Sequence, residues 1–166
     1  MVNLIGGFIN RTVDQGMRGV SMSMVNVTLP DGTVNEYVAG ITAGEVVIDA
    51  LGKKHGCLAA RIDGVERDFS TSLDGNCSVE GILASSDQGI HILRHSAAHL
   101  LAQAVMEIYP DAKPTIGPAI DRGFYYDFAM EPIAVSDLKA IEKKMHELAR
   151  RNLKVERVEL EEQELR

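Results

Sequence analysis

The sequence is short of the residues that several kinds of protein depend on. It has two cysteines, Cys57 and Cys77, in 166 residues. That is too few for a disulfide framework, and their spacing is not the C-x-x-C of a structural zinc site. Reduced thiols at small core positions are the expectation. No apolar run approaches the roughly eighteen residues of a membrane span. Cations are outnumbered, 17 Lys and Arg against 24 Asp and Glu, for a formal net charge of −7. The broad basic footprint of a nucleic-acid-binding domain is therefore missing, and only weak binding of polyanions is expected of the chain alone. A Walker-type phosphate loop, a dinucleotide G-x-G-x-x-G, an H-E-x-x-H and a C-x-x-x-H are all absent, as are internal repeats and low-complexity tracts. Apolar residues make up 45% of the chain. They suffice for a packed core in one ordinary domain or two small ones.

Residues 1–21 differ from the rest. Gly6, Gly7, Gly16 and Gly19 interrupt a stretch without hydrophobic period, and the apolar run from Leu4 to Ile9 has no basic residues before it, unlike a signal peptide. Met17, Met22 and Met24 are alternative starts. This stretch reads as a disordered leader or a mis-assigned start.

From residue 22 to 84 the pattern is that of a small mixed sheet with one helix. Val25, Val27 and Leu29 alternate with polar neighbours, which predicts a strand with one buried face. Pro30-Asp31-Gly32-Thr33 is a turn, and Val34 to Val38 returns as the second strand of a hairpin. Thr42 and Glu45 have the S/T-x-x-E spacing of a capping box. The helix they open carries Val46, Val47, Ala50 and Leu51 and stops near Gly52 or Gly56. Cys57 to Ile62 is a third strand, Asp63-Gly64 a hairpin turn into Val65 to Arg67, Phe69 to Gly75 a loop, and Cys77 to Leu83 the last strand.

Beyond a polar connector, with Asp87 as the expected N-cap, apolar residues at Leu93, Ala97, Leu100, Leu101, Ala104, Val105 and Ile108 predict a helix over Gln88 to Tyr109, stopped by Pro110. Thr115 to Ile120 reads as a strand interrupted by Gly117-Pro118, and Phe124 to Phe128 as an aromatic strand. Ser136 is expected to cap a further helix with the apolar stripe Leu138, Ile141, Met145 and Leu148 and a charged face of Lys139, Glu142, Lys143, Glu147 and Arg150. Val155, Arg157 and Leu160 suggest a strand, with a helical start over Glu161 to Arg166. The whole is α+β.

One stretch looks like chemistry. His95 and His99 stand four residues apart in the apolar run Ile92 to Leu101, and such residues lie on one face of a helix. An imidazole ordinarily titrates near 6.5, so the pair can move a proton at neutral pH or position one water. The same spacing suits two metal ligands, with His91 one step back, and it also suits two exposed helix histidines with no task. His55 and His146 read as surface residues. Gly117 and the Gly123 to Phe128 run read either as a pocket wall, where glycine admits a ligand to the backbone and a tyrosine hydroxyl positions it, or as a hairpin filling the core. Cys57 and Cys77 lie far in sequence from the histidines and lack a partner that would activate a thiol.

Two blocks carry a resemblance. VTLPDGTVNEYVAGITAGEVVIDAL, followed by AARIDGVERDFSTSL, resembles the TGS domain, a β-grasp module found in threonyl-tRNA synthetases, alarmone synthetases and some GTPases. ILRHSAAHLLAQAVMEIYPDAKPTIGPAIDRGFYYDF, followed by DLKAIEKKMHELARRNLKVERVEL, resembles the second N-terminal domain of threonyl-tRNA synthetases. The order of the blocks excludes the alarmone synthetases, whose TGS domain follows catalytic domains. The resemblance covers Met22 to the end. It implies a β-grasp domain over residues 22–84 and the first part of an α+β editing domain over 85–166.

That second domain in the family hydrolyses serine wrongly esterified to threonine tRNA. Threonine exceeds serine by one methyl, which binding alone discriminates only about 10- to 200-fold. The resemblance places His95 and His99 in the hydrolytic site, orienting or activating the attacking water and the terminal ribose hydroxyl. Gly117 and Tyr126 shape the aminoacyl pocket. The family's site also takes a lysine and an Asp-x-Cys-x-x-x-His segment that this sequence does not contain. Also missing is the aminoacylation core with its ATP site and zinc ligands, so no cofactor is expected in this chain. The expectation is an N-terminal piece of a cytoplasmic threonyl-tRNA synthetase, inactive alone. The full-length family binds threonine tRNA and dimerises through domains not present here. A non-catalytic TGS-containing module for tRNA or protein, and a metal protein built on His91, His95 and His99, are the other readings.

Overall fold

The computed structural model describes residues 23–153; the expected leader over 1–21 and the expected elements beyond residue 153 lie outside them. The chain is α+β. A five-stranded mixed sheet comes first. Its strands are β1 (Met24–Thr28), β2 (Val34–Val38), β4 (Cys57–Ile62), β5 (Val65–Arg67) and β7 (Cys77–Leu83). They lie in the order β2-β1-β7-β4-β5. β1 runs parallel to β7, with Val27 opposite Cys77, and the other neighbours are antiparallel. Val25 and Val27 are buried while Met24, Asn26 and Thr28 are exposed, the alternation that a sheet covered on one side imposes.

The cover is α1 (Ala43–Leu51), whose Val46 and Val47 pack with Val25, Val27, Ala60 and Val79. Its start is fixed as the sequence suggests. Thr42 Oγ1 accepts from the Glu45 N–H at 3.3 Å, and Glu45 Oε2 accepts from the Thr42 N–H at 2.9 Å. The Thr42 N–H, with the Thr42 hydroxyl donating to the same oxygen at 2.8 Å, holds the Glu45 carboxyl below its usual range. Gly52 ends the helix at φ +81. Gly81 lets α1 and β4 close on β7, since an added Cβ there would sit 2.7 Å from Cys57 Sγ. The loop expected over Phe69 to Gly75 contains a short strand, β6 (Ser72–Leu73), paired with β3 (Ile41–Thr42). Leu73 is buried, and so the segment is drawn against the core.

The long helix α2 spans Asp87–Ile108. Its N-cap is Ser86, not Asp87. Ser86 Oγ accepts from the Gly89 N–H at 3.0 Å and donates to the Leu83 carbonyl at 2.7 Å, a reach that Asp87, already helical, lacks. Asp87 instead stands in the first turn, where the helix dipole favours an acid. The buried line of α2 runs through Gly89, Ala98, Ala102, Ala104 and Val105. Leu93, expected in the stripe, is 46% exposed; on a helical wheel it lies about 140° from Ala98.

A single irregular hairpin follows. β8 (Lys113–Pro114) pairs with β11 (Phe128–Ala129), and β9 (Ala119–Ile120) with β10 (Gly123–Phe124). The two longer strands expected here are thus cut in half. Thr115 and Ile116 still exchange bonds with Asp127, but Pro118 has no N–H to donate and the ladder lapses across Gly117-Pro118 and Tyr125-Tyr126. Next, Val135–Asp137 form a 3-10 turn and α3 covers Leu138–Arg151. Ser136 does not cap it. Asp137 Oδ2 accepts from the Ala134 N–H at 3.1 Å, and Ser136 Oγ only touches Asp137. Ile141 and Leu148 are buried against Ala104, Val105 and Ala112, whereas Leu138, at the helix start, is 51% exposed.

Candidate functional site

The site is built by the middle of α2 and the hairpin folded against it. His95 and His99 follow one another up an exposed side of α2, and their Nε2 atoms are 3.0 Å apart. The rings meet edge to face, with centroids 4.5 Å apart and planes at 89°. A hydrogen bond at this distance pairs an N–H of one ring with the lone pair of the other. The second ring nitrogen of each is left for other partners.

The hairpin brings an aromatic wall to the pair. Tyr126 lies with its ring centroid 6.4 Å from that of His99, at 66°. Phe128 stacks behind Tyr126 at 5.0 Å and 28°. Gly117 lies under the Tyr126 ring, and a Cβ added to it would overlap Cδ2 and Cε2 of that ring. Arg94 donates to the Ile120 carbonyl at 3.2 Å and ties the tip of the hairpin to α2. The four residues singled out in the sequence, His95, His99, Gly117 and Tyr126, therefore share one place. Phe128 was included only as the end of the Gly123 to Phe128 run, read as a pocket wall or a core-filling hairpin, and Arg94 was not singled out. Phe128 was legible, because strand alternation puts it on the same face as Tyr126. Arg94 was not, since its partner is a backbone carbonyl distant in sequence.

The remaining candidates fall away from this site. Cys57 is buried and Cys77 half-buried, and burial raises both thiols above their usual range, with the Asp63 charge adding to the effect at Cys77. Both are kept as thiols, not thiolates. His55, expected at the surface, is half-buried: Nδ1 accepts from the Cys57 N–H at 2.9 Å, and its ring meets Phe69 edge-on at 5.6 Å. His146 is exposed, as expected. Among the described residues no group of three or more His, Cys, Asp or Glu side chains could hold a metal ion, so a three-histidine centre on His91, His95 and His99 has no geometric support. Nor is any helix among them long and apolar enough to cross a membrane.

Chemically, the pair offers a proton donor and a proton acceptor side by side at an open surface, with an aromatic wall and a glycine floor beside them. Such an arrangement can orient a small hydroxylic molecule such as water and relay its proton.

No protein-family model matches the chain. Similarity to individual proteins is strong, and the relatives are aminoacyl-tRNA ligases. The chain is homologous to threonine--tRNA ligases, among them that of Rickettsia bellii, 43% identical over 136 residues. The enzyme of Pelobacter propionicus is 45% identical over 138 residues, and that of Hyphomonas neptunium 47% over 129. These alignments take in 81%, 82% and 75% of this chain, but 22%, 22% and 19% of the respective relatives. The chain thus spans about a fifth of their length.

Proposed function

We propose that this chain is the TGS domain and the leading part of the editing domain of a threonine--tRNA ligase, and that His95, His99, Gly117 and Tyr126 form one half of a site that hydrolyses seryl-tRNA. The observation that carries the reading is the 3.0 Å contact between the Nε2 atoms of His95 and His99, set beside Tyr126 and the Gly117 floor. The five-stranded sheet crossed by α1 supports a β-grasp assignment for residues 22–84. In this reading the imidazole pair takes a proton from the attacking water or holds the terminal ribose hydroxyl, and Tyr126 lies against the aminoacyl group. The lysine and the Asp-x-Cys-x-x-x-His segment of the family complete the site. ATP-dependent attachment of threonine, the ATP and zinc sites, the dimer and a cytoplasmic setting are attributes of the longer protein.

The test joins residues 22–166 to the continuation of a homologous ligase and measures hydrolysis of seryl-tRNA. The joined protein is expected to hydrolyse the ester. His95→Ala within it is expected to lose roughly two orders of magnitude or more, the usual worth of positioned acid-base groups. The 166-residue chain alone is expected to show no turnover. Robust His95-dependent hydrolysis by the short chain would refute the half-site, and an undiminished His95→Ala protein would refute the role of the pair.

A further inference from the structure

The charged face of α3 is not one mixed surface. Lys139, Lys143, His146 and Arg150 recur at intervals of four, three and four residues. On a helix turning about 100° per residue they fall within an arc of about 60° and extend over about 16 Å. The arc lies opposite Ile141 and Leu148, the buried residues of the helix, and so points straight outward. All four side chains belong to exposed residues and line one shallow, open groove with Glu142 and Ala149.

The two glutamates that flank the ridge are not equivalent. Glu147 is drawn away from it. Its carboxylate binds Arg151 at 2.5 Å and Lys144 at 3.1 Å, which holds it below its usual range, and the same two cations reach Glu107 of α2 at 3.2 and 3.5 Å. Glu142 remains beside the ridge and leaves it net cationic. Among the described residues, Lys139, Lys143 and Arg150 enter no ion pair. In a chain of net charge −7, the helix has sorted its cations, with those near α2 paired and those facing out unpaired and in line.

We propose that this outward ridge of α3 is a contact for the phosphate backbone of RNA. A row of cations that enter no ion pair among the described residues matches a partner whose anions are themselves in a row, and the three permanent charges suit about three phosphates. A lipid surface would call for apolar residues interleaved with the cations, and the groove supplies only Ala149. The choice of RNA among polyanions rests on the functional reading above. Lys144 and Arg151, on the same helix but outside the ridge, bind Glu107 of α2, which holds α3, with the ridge on its outer side, against the helix that carries His95 and His99.

The test uses the 166-residue chain and a short labelled RNA hairpin with a single-stranded 3′ end, with binding read by fluorescence anisotropy across a salt series. Expected is a log–log salt slope of about −2 to −3, from three contacts at about 0.7 to 0.9 each. The triple variant Lys139→Glu, Lys143→Glu, Arg150→Glu is expected to lose about tenfold or more in affinity and most of the slope, with its circular dichroism unchanged. The neutral set Lys139→Gln, Lys143→Gln, Arg150→Gln should follow in the same direction and serves if the reversed set folds poorly. A control of equal charge change at other exposed cations, Lys53→Glu, Lys54→Glu, Arg67→Glu, is expected to stay within about twofold at matched salt. Wild-type affinity in both ridge variants overturns the inference. So does an equal loss in the control, which would make net charge the cause, or equal competition by polyglutamate, which would make the partner an acidic polypeptide. The hydrolysis assay reads His95 and this one reads the ridge, so either proposal can fail without the other.

Discussion

Tyr126 is held from three directions at once, by Gly117 below, Phe128 behind and His99 at its edge. Gly117→Ala tests whether this clamp sets the site. The new methyl would occupy space the ring now fills, and overpacking of this kind costs about 1–3 kcal/mol. The expected outcome is a lowered Tm and displaced NMR signals of both the Tyr126 and His99 rings. Unmoved His99 signals in the Gly117→Ala variant would show that the histidine pair is placed independently of the aromatic wall. At this scale the sequence was informative where spacing alone decides geometry: an i, i+4 histidine pair has to share a helix face. That Gly117 lies under Tyr126 could not be read from local pattern. It depends on where the hairpin ladder lapses at Pro118, a long-range pairing matter, and the two residues entered the site through family resemblance instead.

Among the elements, the helix starts carry the testable chemistry. Thr42 and Glu45 satisfy each other's backbone N–H at the head of α1, and removing a cap of this type costs about 0.5–2 kcal/mol. Thr42→Ala is expected to fall in that range by urea denaturation. The carboxyl of Glu45 titrates lower in the folded chain than in the unfolded one, chiefly because the Thr42 N–H bonds its charged form. Its contribution is therefore present above the ordinary carboxylate range and is lost as pH falls through the folded-state value. Glu45→Gln should accordingly be less stable than wild type at neutral pH, with the gap closing on acidification. A gap that stays constant with pH would mean that the ionised form is not what the cap uses. The capping box was legible because its two residues are three apart. Ser86 was displaced in the reading by Asp87, an equally good cap by type. The choice between them was made by the Leu83 carbonyl, which only Ser86 can reach while its own backbone is still extended. β2 and β4, each flanked by turn glycines at positive φ, have the bounds the sequence predicts. The two-residue strands β3 and β6 had no period to read.

Across the whole molecule, two apolar clusters are joined at one junction. Among the described residues, ten buried side chains centre on Val25, Val27 and Val46, and five on Ala104, Val105 and Ile141. Between them, Arg61 of β4 donates to Glu80 and to Gln88, and Gln88 donates to Glu66, a polar clasp from sheet to helix. Beside it Gly89 lies so close to Leu83 that a Cβ would overlap the Leu83 carbonyl. The two links differ in weight. Glu66 and Glu80 are exposed and Arg61 only half-buried, and surface pairs of that kind contribute about 0–1 kcal/mol. Backbone contact, by contrast, cannot yield without moving α2 as a body. Gln88→Ala is therefore expected to cost less than about 1 kcal/mol, while Gly89→Ala is expected to exceed it clearly and to reach about 1–3 kcal/mol or more. Hydrogen exchange separates the consequences. The smaller cluster should open at lower free energy than the sheet, so amides of α3 are expected to exchange faster than those of β1 and β7 in wild type. Gly89→Ala should widen that difference, by detaching α2 from the sheet edge it packs on. Equal protection in α3 and β7, unaltered by Gly89→Ala, would instead mean that the two clusters fold as one unit and that the histidine pair is as rigidly seated as the sheet.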